Sequence, residues 1–130
     1  MRTALWPDTM QDQHRKEMEF MVSVADRYTV IVCESESSLI GFAEVSLREW
    51  AEGCGSSPVG YLEGWFVVNH MRRSGVGRKL VNAAEDWARS RGCTEMASDT
   101  DLGNQTSKTA HLKLGFQVAA QVVAFRKDLS

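Results

Sequence analysis

The sequence predicts an α/β fold in which helices flank one mixed sheet. Three observations carry this expectation. Short β-branched runs alternate with amphipathic helical patterns along the chain. The strongest helical pattern, with a continuous apolar stripe, covers residues 75–91. The 130 residues hold neither a repeat nor a linker, so residues 1–130 read as a single domain.

The elements follow in order. Residues 9–25 are polar with a single apolar stripe, Met18, Met21, Val22 and Ala25, spaced three and four apart. That predicts an amphipathic helix, with Asp8 or Thr9 as its N-cap. Residues 28–33 are rich in β-branched side chains and residues 39–47 repeat the pattern, so the serine-rich turn at 35–38 makes a hairpin. Gly53, Gly55, Ser56, Ser57 and Pro58 place a loop over 48–58. The strand at 60–68 contains Gly60 and Gly64, which predict a bulge or a close backbone approach. Helix 75–91 turns Val76, Leu80, Val81, Ala84, Trp87 and Ala88 inward and stops at Gly92. A short strand at 93–98, a polar loop at 99–106 and a helix at 107–114 closed by Gly115 come next. From Phe116 the pattern returns to strand, with 122–125 as its last apolar run.

Composition excludes several classes of function. Hydrophobic residues make up 43% and charged residues 25%, an ordinary globular balance rather than a disordered one. A formal charge of −2 gives no bulk attraction for nucleic acid or anionic lipid. Every apolar run falls far short of the roughly 20 residues that span a bilayer. The first residues show no secretory pattern, so a cytoplasmic protein is expected. Cys33, Cys54 and Cys93 are odd in number, far apart and without a histidine at zinc spacing, which predicts free thiols and no metal site.

One segment carries chemistry. Arg72-Arg73-Ser74-Gly75-Val76-Gly77-Arg78 lies between a predicted strand and a predicted helix. A helix start offers unpartnered N–H groups and the positive end of its dipole. Glycines at 75 and 77 admit an anion to that backbone, and the arginines surround it with positive charge. The segment reads as a seat for a phosphate or pyrophosphate. It is not a Walker A loop, which needs a Gly-Lys-Ser/Thr ending, nor a dinucleotide fingerprint, which needs a small residue where Leu80 stands.

The segment does resemble the (Gln/Arg)-x-x-Gly-x-(Gly/Ala) signature of the GNAT acyltransferase superfamily. The order of strand, motif, long helix, strand, Asn104 and a short helix ending Leu114-Gly115-Phe116 is similar too, over nearly the whole chain. Within that superfamily, Leu5-Trp6-Pro7, Ser56-Ser57-Pro58, Leu62-Glu63-Gly64, Ala97-Ser98-Asp99-Thr100 and Phe125-Arg126-Lys127 look like the aminoglycoside 6′-N-acetyltransferases. The resemblance implies a GNAT-like fold and an acetyl-CoA site. The backbone of Trp65, Phe66 and Val67 would pair with the pantetheine arm. Amides of Arg73, Ser74, Gly75, Val76, Gly77 and Arg78 would hold the pyrophosphate, and Asn104 would touch the cofactor.

On the acceptor side the resemblance, position and charge single out Glu63 and Asp99 as carboxylates that bind a small cationic amine and accept its proton. A charge inside the 60–68 strand also needs a physical reason. Trp6 and Trp50 would give flat faces for sugar rings or ammonium groups. Three departures from the family pattern stand out. His111 replaces the tyrosine that often protonates the leaving thiolate, Gln117, Val118, Ala119 and Ala120 are uncharged, and the family's first strand has no counterpart before Leu5. A sheet edge left open in this way, together with the apolar 122–126 segment, predicts a homodimer. The acceptor stays open between an aminoglycoside, another small amine or polyamine, and a protein N-terminus. A chain that binds CoA without turnover is the non-enzymatic alternative.

Overall fold

The computed structural model describes residues 1–5, 10–23 and 25–130, leaving aside the side chains of Thr3, Val22 and Ser23. The candidate caps Asp8 and Thr9, and Trp6, lie outside the described residues. In chain order the elements are α1 (Arg2–Leu5), α2 (Gln11–Ser23), β1 (Tyr28–Ser35), β2 (Ser38–Arg48), β3 (Val59–Val67), a 3₁₀ turn (Asn69–Met71), α3 (Val76–Ser90), β4 (Met96–Ser98) and α4 (Gln105–Lys113). They fall into two units, Met1–Asp99 and Thr100–Ser130.

The first unit is built on a four-stranded sheet in the order β1-β2-β3-β4. Strands β1, β2 and β3 are antiparallel neighbours, whereas β4 runs parallel to β3. The hairpin expected at the serine-rich turn closes with Ser35 opposite Ser38. Glu36 and Ser37 occupy its tip with φ of 50° and 67°, the pair of left-handed residues a two-residue hairpin turn requires. The bulge expected in the glycine-bearing strand is also present. Glu44 pairs with Gly64 but Val45 pairs with Leu62, so Glu63 is one residue more than the ladder needs.

That extra residue sorts the side chains. Phe42, Glu44, Ser46 and Arg48 share one face of β2, since alternate residues point the same way. On β3 the bulge brings odd-numbered Tyr61, opposite Ser46, and even-numbered Phe66, opposite Phe42, onto that same face. The Phe42 and Phe66 rings are 6.1 Å apart, as this requires. The other face carries Gly41, Ala43, Val45, Leu62 and Trp65 and receives α3, whose Leu80 lies against Gly41. At Gly60 the approach is closest: a Cβ there would sit 2.7 Å from the Cβ of Ala88. The α3 face is apolar as expected, with Val76, Leu80, Val81, Ala84 and Ala88 buried.

Helix α2 is rotated from the expected face. His14 is 4% exposed, Glu17 and Met21 are half-buried, Met18 is 46% exposed, and Ala25 lies beyond the helix. The reason is a charged cluster beneath it. Arg2 donates to both oxygens of the buried Glu44 at 2.7 and 3.2 Å, meets Glu17 at 2.9 Å, and lies 2.8 Å from Nδ1 of His14. Apolar periodicity cannot report a helix that docks through ion pairs.

The second unit holds α4, capped by Asn104, whose Oδ1 accepts from the Ser107 N–H at 3.0 Å. The strand expected from Phe116 is not formed. Residues 116–130 contain no helix or strand, and Val122, Val123 and Phe125 are 79%, 77% and 92% exposed. A strand exists only by pairing, and this unit holds no second strand to pair with.

Candidate active site

The start of α3 follows the expected design. Gly75 caps the helix in the left-handed region, with φ of 91°, which costs an L residue about 1–2 kcal/mol but glycine nothing. No acidic side chain stands in the first turn and no side chain caps the helix, so neither offsets the positive end of its dipole. Ser74 Oγ donates back to Met71 O, and Arg73 is held at φ of 66°. Gly77 has a second reason to be glycine, since a Cβ there would lie 3.1 Å from the Trp65 indole.

The C-terminal half of strand β3 reaches the start of α3, with Trp65 against Gly77. Its pairing with β4 ends where Leu62 meets Ser98. Beyond that point, at the Glu63 bulge, no strand among the described residues covers the second side of residues 63–67. Trp65, Phe66 and Val67 therefore present backbone to whatever fills that opening. One carbonyl is partly engaged, because Arg72 Nε donates to Val67 O at 2.8 Å.

Glu63 and Asp99 line one cleft of about 780 Å³ on the face opposite α3, together with Arg2, Glu17, Glu44, Ser46 and Arg48. The sequence singled out both carboxylates, and the fold brings them to the same space. Their partners differ. Glu63 accepts from Ser46 Oγ at 2.6 Å and from Arg48 Nε and Nη2 at 2.9 and 2.7 Å. Asp99 accepts from the Tyr61 hydroxyl at 2.5 Å. The Arg48 guanidinium lies 3.5 Å from the centroid of the Tyr61 ring and so connects the two carboxylates. Its hydrogen bonds to Glu63 raise the Arg48 pKa above the ordinary value. Burial, and then the Asp99 carboxylate, push the Tyr61 phenol well above the usual tyrosine range, so it stays a donor.

Sequence reasoning missed Tyr61, Arg48, Ser46 and the Arg2–Glu44 pair. Glu44 had a signal: a carboxylate amid Phe42, Ala43 and Val45 needs a partner as much as Glu63 does. Trp50 is 68% exposed and is not among the residues lining the cleft. Asn104 spends its side-chain oxygen on the α4 cap. His111 is engaged within its own helix: Nδ1 lies 2.8 Å from Ser107 O, and its ring meets Phe116 edge-on at 5.2 Å. Among the described residues no cluster of His, Cys, Asp or Glu is placed to hold a metal, and no helix is long and apolar enough to cross a membrane.

Residues 1–116, which hold the bulged strand and the glycine-led helix start, match a family described as the acetyltransferase (GNAT) family. The chain belongs to the GNAT family. Among the relatives of this GNAT chain, an aminoglycoside N(6′)-acetyltransferase type 1 of Klebsiella aerogenes is 50% identical over 132 residues, covering 99% of this chain and 87% of that one. One of the same name from Serratia marcescens is 38% identical, covering 99% and 89%. The structure of AAC(6′)-Iy in complex with a bisubstrate analogue, CoA-S-monomethyl-acetylneamine, superposes with a TM-score of 0.93 at 37% identity, over 99% of this chain and 88% of that one. AAC(6′)-IG from Acinetobacter haemolyticus, without ligand, gives 0.92 at 37% identity over the same shares. This GNAT chain is an N-acetyltransferase, and its acyl donor is acetyl-CoA.

Proposed function

We propose that this chain transfers the acetyl group of acetyl-CoA to the 6′-amino group of an aminoglycoside, a resistance activity. In this reading residues 1–130 act as one domain, in the cytoplasm and as a homodimer. The observation that carries the acceptor is the 50% identity, along almost the full chain, to an aminoglycoside N(6′)-acetyltransferase.

The roles follow from chemistry. Trp65, Phe66 and Val67 take the pantetheine arm along the open side of β3. Arg73, Ser74, Gly75, Val76, Gly77 and Arg78 receive the pyrophosphate at the α3 start. Asn104, with its oxygen on the cap, keeps its NH₂ group to donate to the cofactor. Acetyl transfer forms an N–C bond and breaks a C–S bond, so the amine loses a proton and the thiolate gains one. Asp99 holds the acceptor ammonium and takes up its proton, with Glu63, already bound by Arg48, beside it as the second carboxylate of the cleft. Trp6 supplies a flat face for the sugar rings, while Trp50, outside the cleft lining, takes no part in this reading. The apolar 122–126 segment pairs with its copy across a two-fold axis.

Acetyl-CoA turnover across a kanamycin-type aminoglycoside, a polyamine and short peptides tests the acceptor. The aminoglycoside is expected to give the highest kcat/KM, with the acetyl group located on the 6′ nitrogen by NMR. Preference for the polyamine or a peptide overturns the reading.

A further inference from the structure

A carboxylate beside an aromatic face is a cation site. Glu63, which lines the cleft, and the buried ring of Tyr61 make one, and the chain fills it with its own guanidinium. Arg48 holds both Glu63 oxygens at 2.9 and 2.7 Å and covers the Tyr61 ring at 3.5 Å. Ser46 adds a third donor to Glu63, which leaves that carboxylate little accepting capacity for an incoming ammonium. Asp99 is different: its hydrogen bond comes from the neutral Tyr61 phenol, and among the described residues it forms no ion pair. Arg48 is also reachable, with 43% of its side chain exposed to the cleft and solvent.

Resting on the acceptor reading above, we infer that Arg48 is a specificity-determining residue. It is an internal cation that occupies the Glu63–Tyr61 site and leaves Asp99 as the carboxylate for the acceptor ammonium. An acceptor that brings a second ammonium group toward Glu63 meets Arg48 already there. The cleft is thereby tuned against surplus positive charge on the acceptor.

The test compares KM for a kanamycin-type aminoglycoside, with several ammonium groups, against 6-amino-6-deoxyglucose, with one. In Arg48→Ala the ratio of the two KM values is expected to fall at least about threefold, the lower range for a vacated cation–π site. Millimolar guanidinium chloride should refill the site and restore the parent ratio, whereas sodium chloride at equal ionic strength should not. Arg48→Met, which keeps an apolar stem over Tyr61, serves the same comparison if the alanine variant does not fold. An unchanged or higher ratio in an active variant, or equal effects of guanidinium and sodium, overturns this inference alone. A parent enzyme that acetylates neither sugar overturns the acceptor reading, and this inference with it.

Discussion

Asp99 and Glu95 show what one carboxylate does when its donors differ. Asp99 stands at the end of β4 with a neutral donor, so its charge remains available to an ammonium. Asp99→Asn is expected to lower kcat/KM for the acceptor by roughly ten- to a hundredfold, the worth of a charged hydrogen bond. KM for acetyl-CoA should change little; equal damage to both substrates would point to a structural role. Glu95 instead serves the loop before β3. It accepts from the Ser56 hydroxyl at 2.5 Å, the Ser56 N–H at 2.9 Å and the Gly55 N–H at 3.0 Å, which hold it below the usual carboxylate range. A carboxylate depressed on folding stabilises above its unfolded pKa and loses that contribution as pH falls through its folded value. Melting curves of Glu95→Gln should therefore lie below the parent near neutral pH and converge with it in acid. A gap that persists unchanged in acid would refute the linkage. Nothing in the sequence pointed to Glu95, because its partners, two backbone amides and one serine hydroxyl, lie 39 and 40 residues away.

At the scale of elements, legibility followed the kind of force that docks each one. Helix α3 was readable to within a residue at each end because apolar spacing is what seats it on the sheet. The β3 bulge was readable from Gly60 and Gly64, although not the identity of the extra residue. Helix α2 was misphased because Arg2, Glu44 and His14 dock it, and two of those three lie outside it. The tail from Phe116 failed because pairing is a property of two segments, and apolar composition describes only one. Gly77 illustrates an element-scale coupling. The sequence alone predicts that Gly77→Val blocks the pyrophosphate with the fold intact, but the nearby Trp65 ring adds an overpacking cost of about 1–3 kcal/mol. Calorimetric titration should show CoA affinity at least roughly tenfold weaker, beyond what uniform destabilisation explains. A variant that binds CoA like the parent would move the pyrophosphate elsewhere.

At the scale of the whole molecule, each of the two units exposes apolar side chains. Val122, Val123, Phe125 and Leu129 are 77% exposed or more, and β1 shows Val30 and Val32 at 43% and 51%. Isolated exposed side chains are ordinary, but an apolar run with unpaired backbone invites another strand. Light scattering at micromolar concentration is expected to give twice the 14.5 kDa chain mass. A single-chain mass that does not change on dilution would rule the dimer out. Truncation before Val122 should yield the single-chain species if this segment makes the contact. Both carboxylates of the site were legible because charge in a strand or at its end demands a reason. Their unequal partners were not, because Arg48 and Tyr61 meet them only through register.

Glu63 also has a genetic meaning. With Leu62 opposite Val45 and Gly64 opposite Glu44, it is an insertion in an otherwise regular text. Deleting its codon in frame leaves every remaining β2–β3 pair as it is, whereas deleting Leu62 or Gly64 draws Glu63 into the vacated ladder position. One mutational event thus separates this enzyme from a chain that keeps its ladder while lacking the carboxylate. Loss of activity through that route should leave a folded protein, a rare outcome for a deletion inside a central strand.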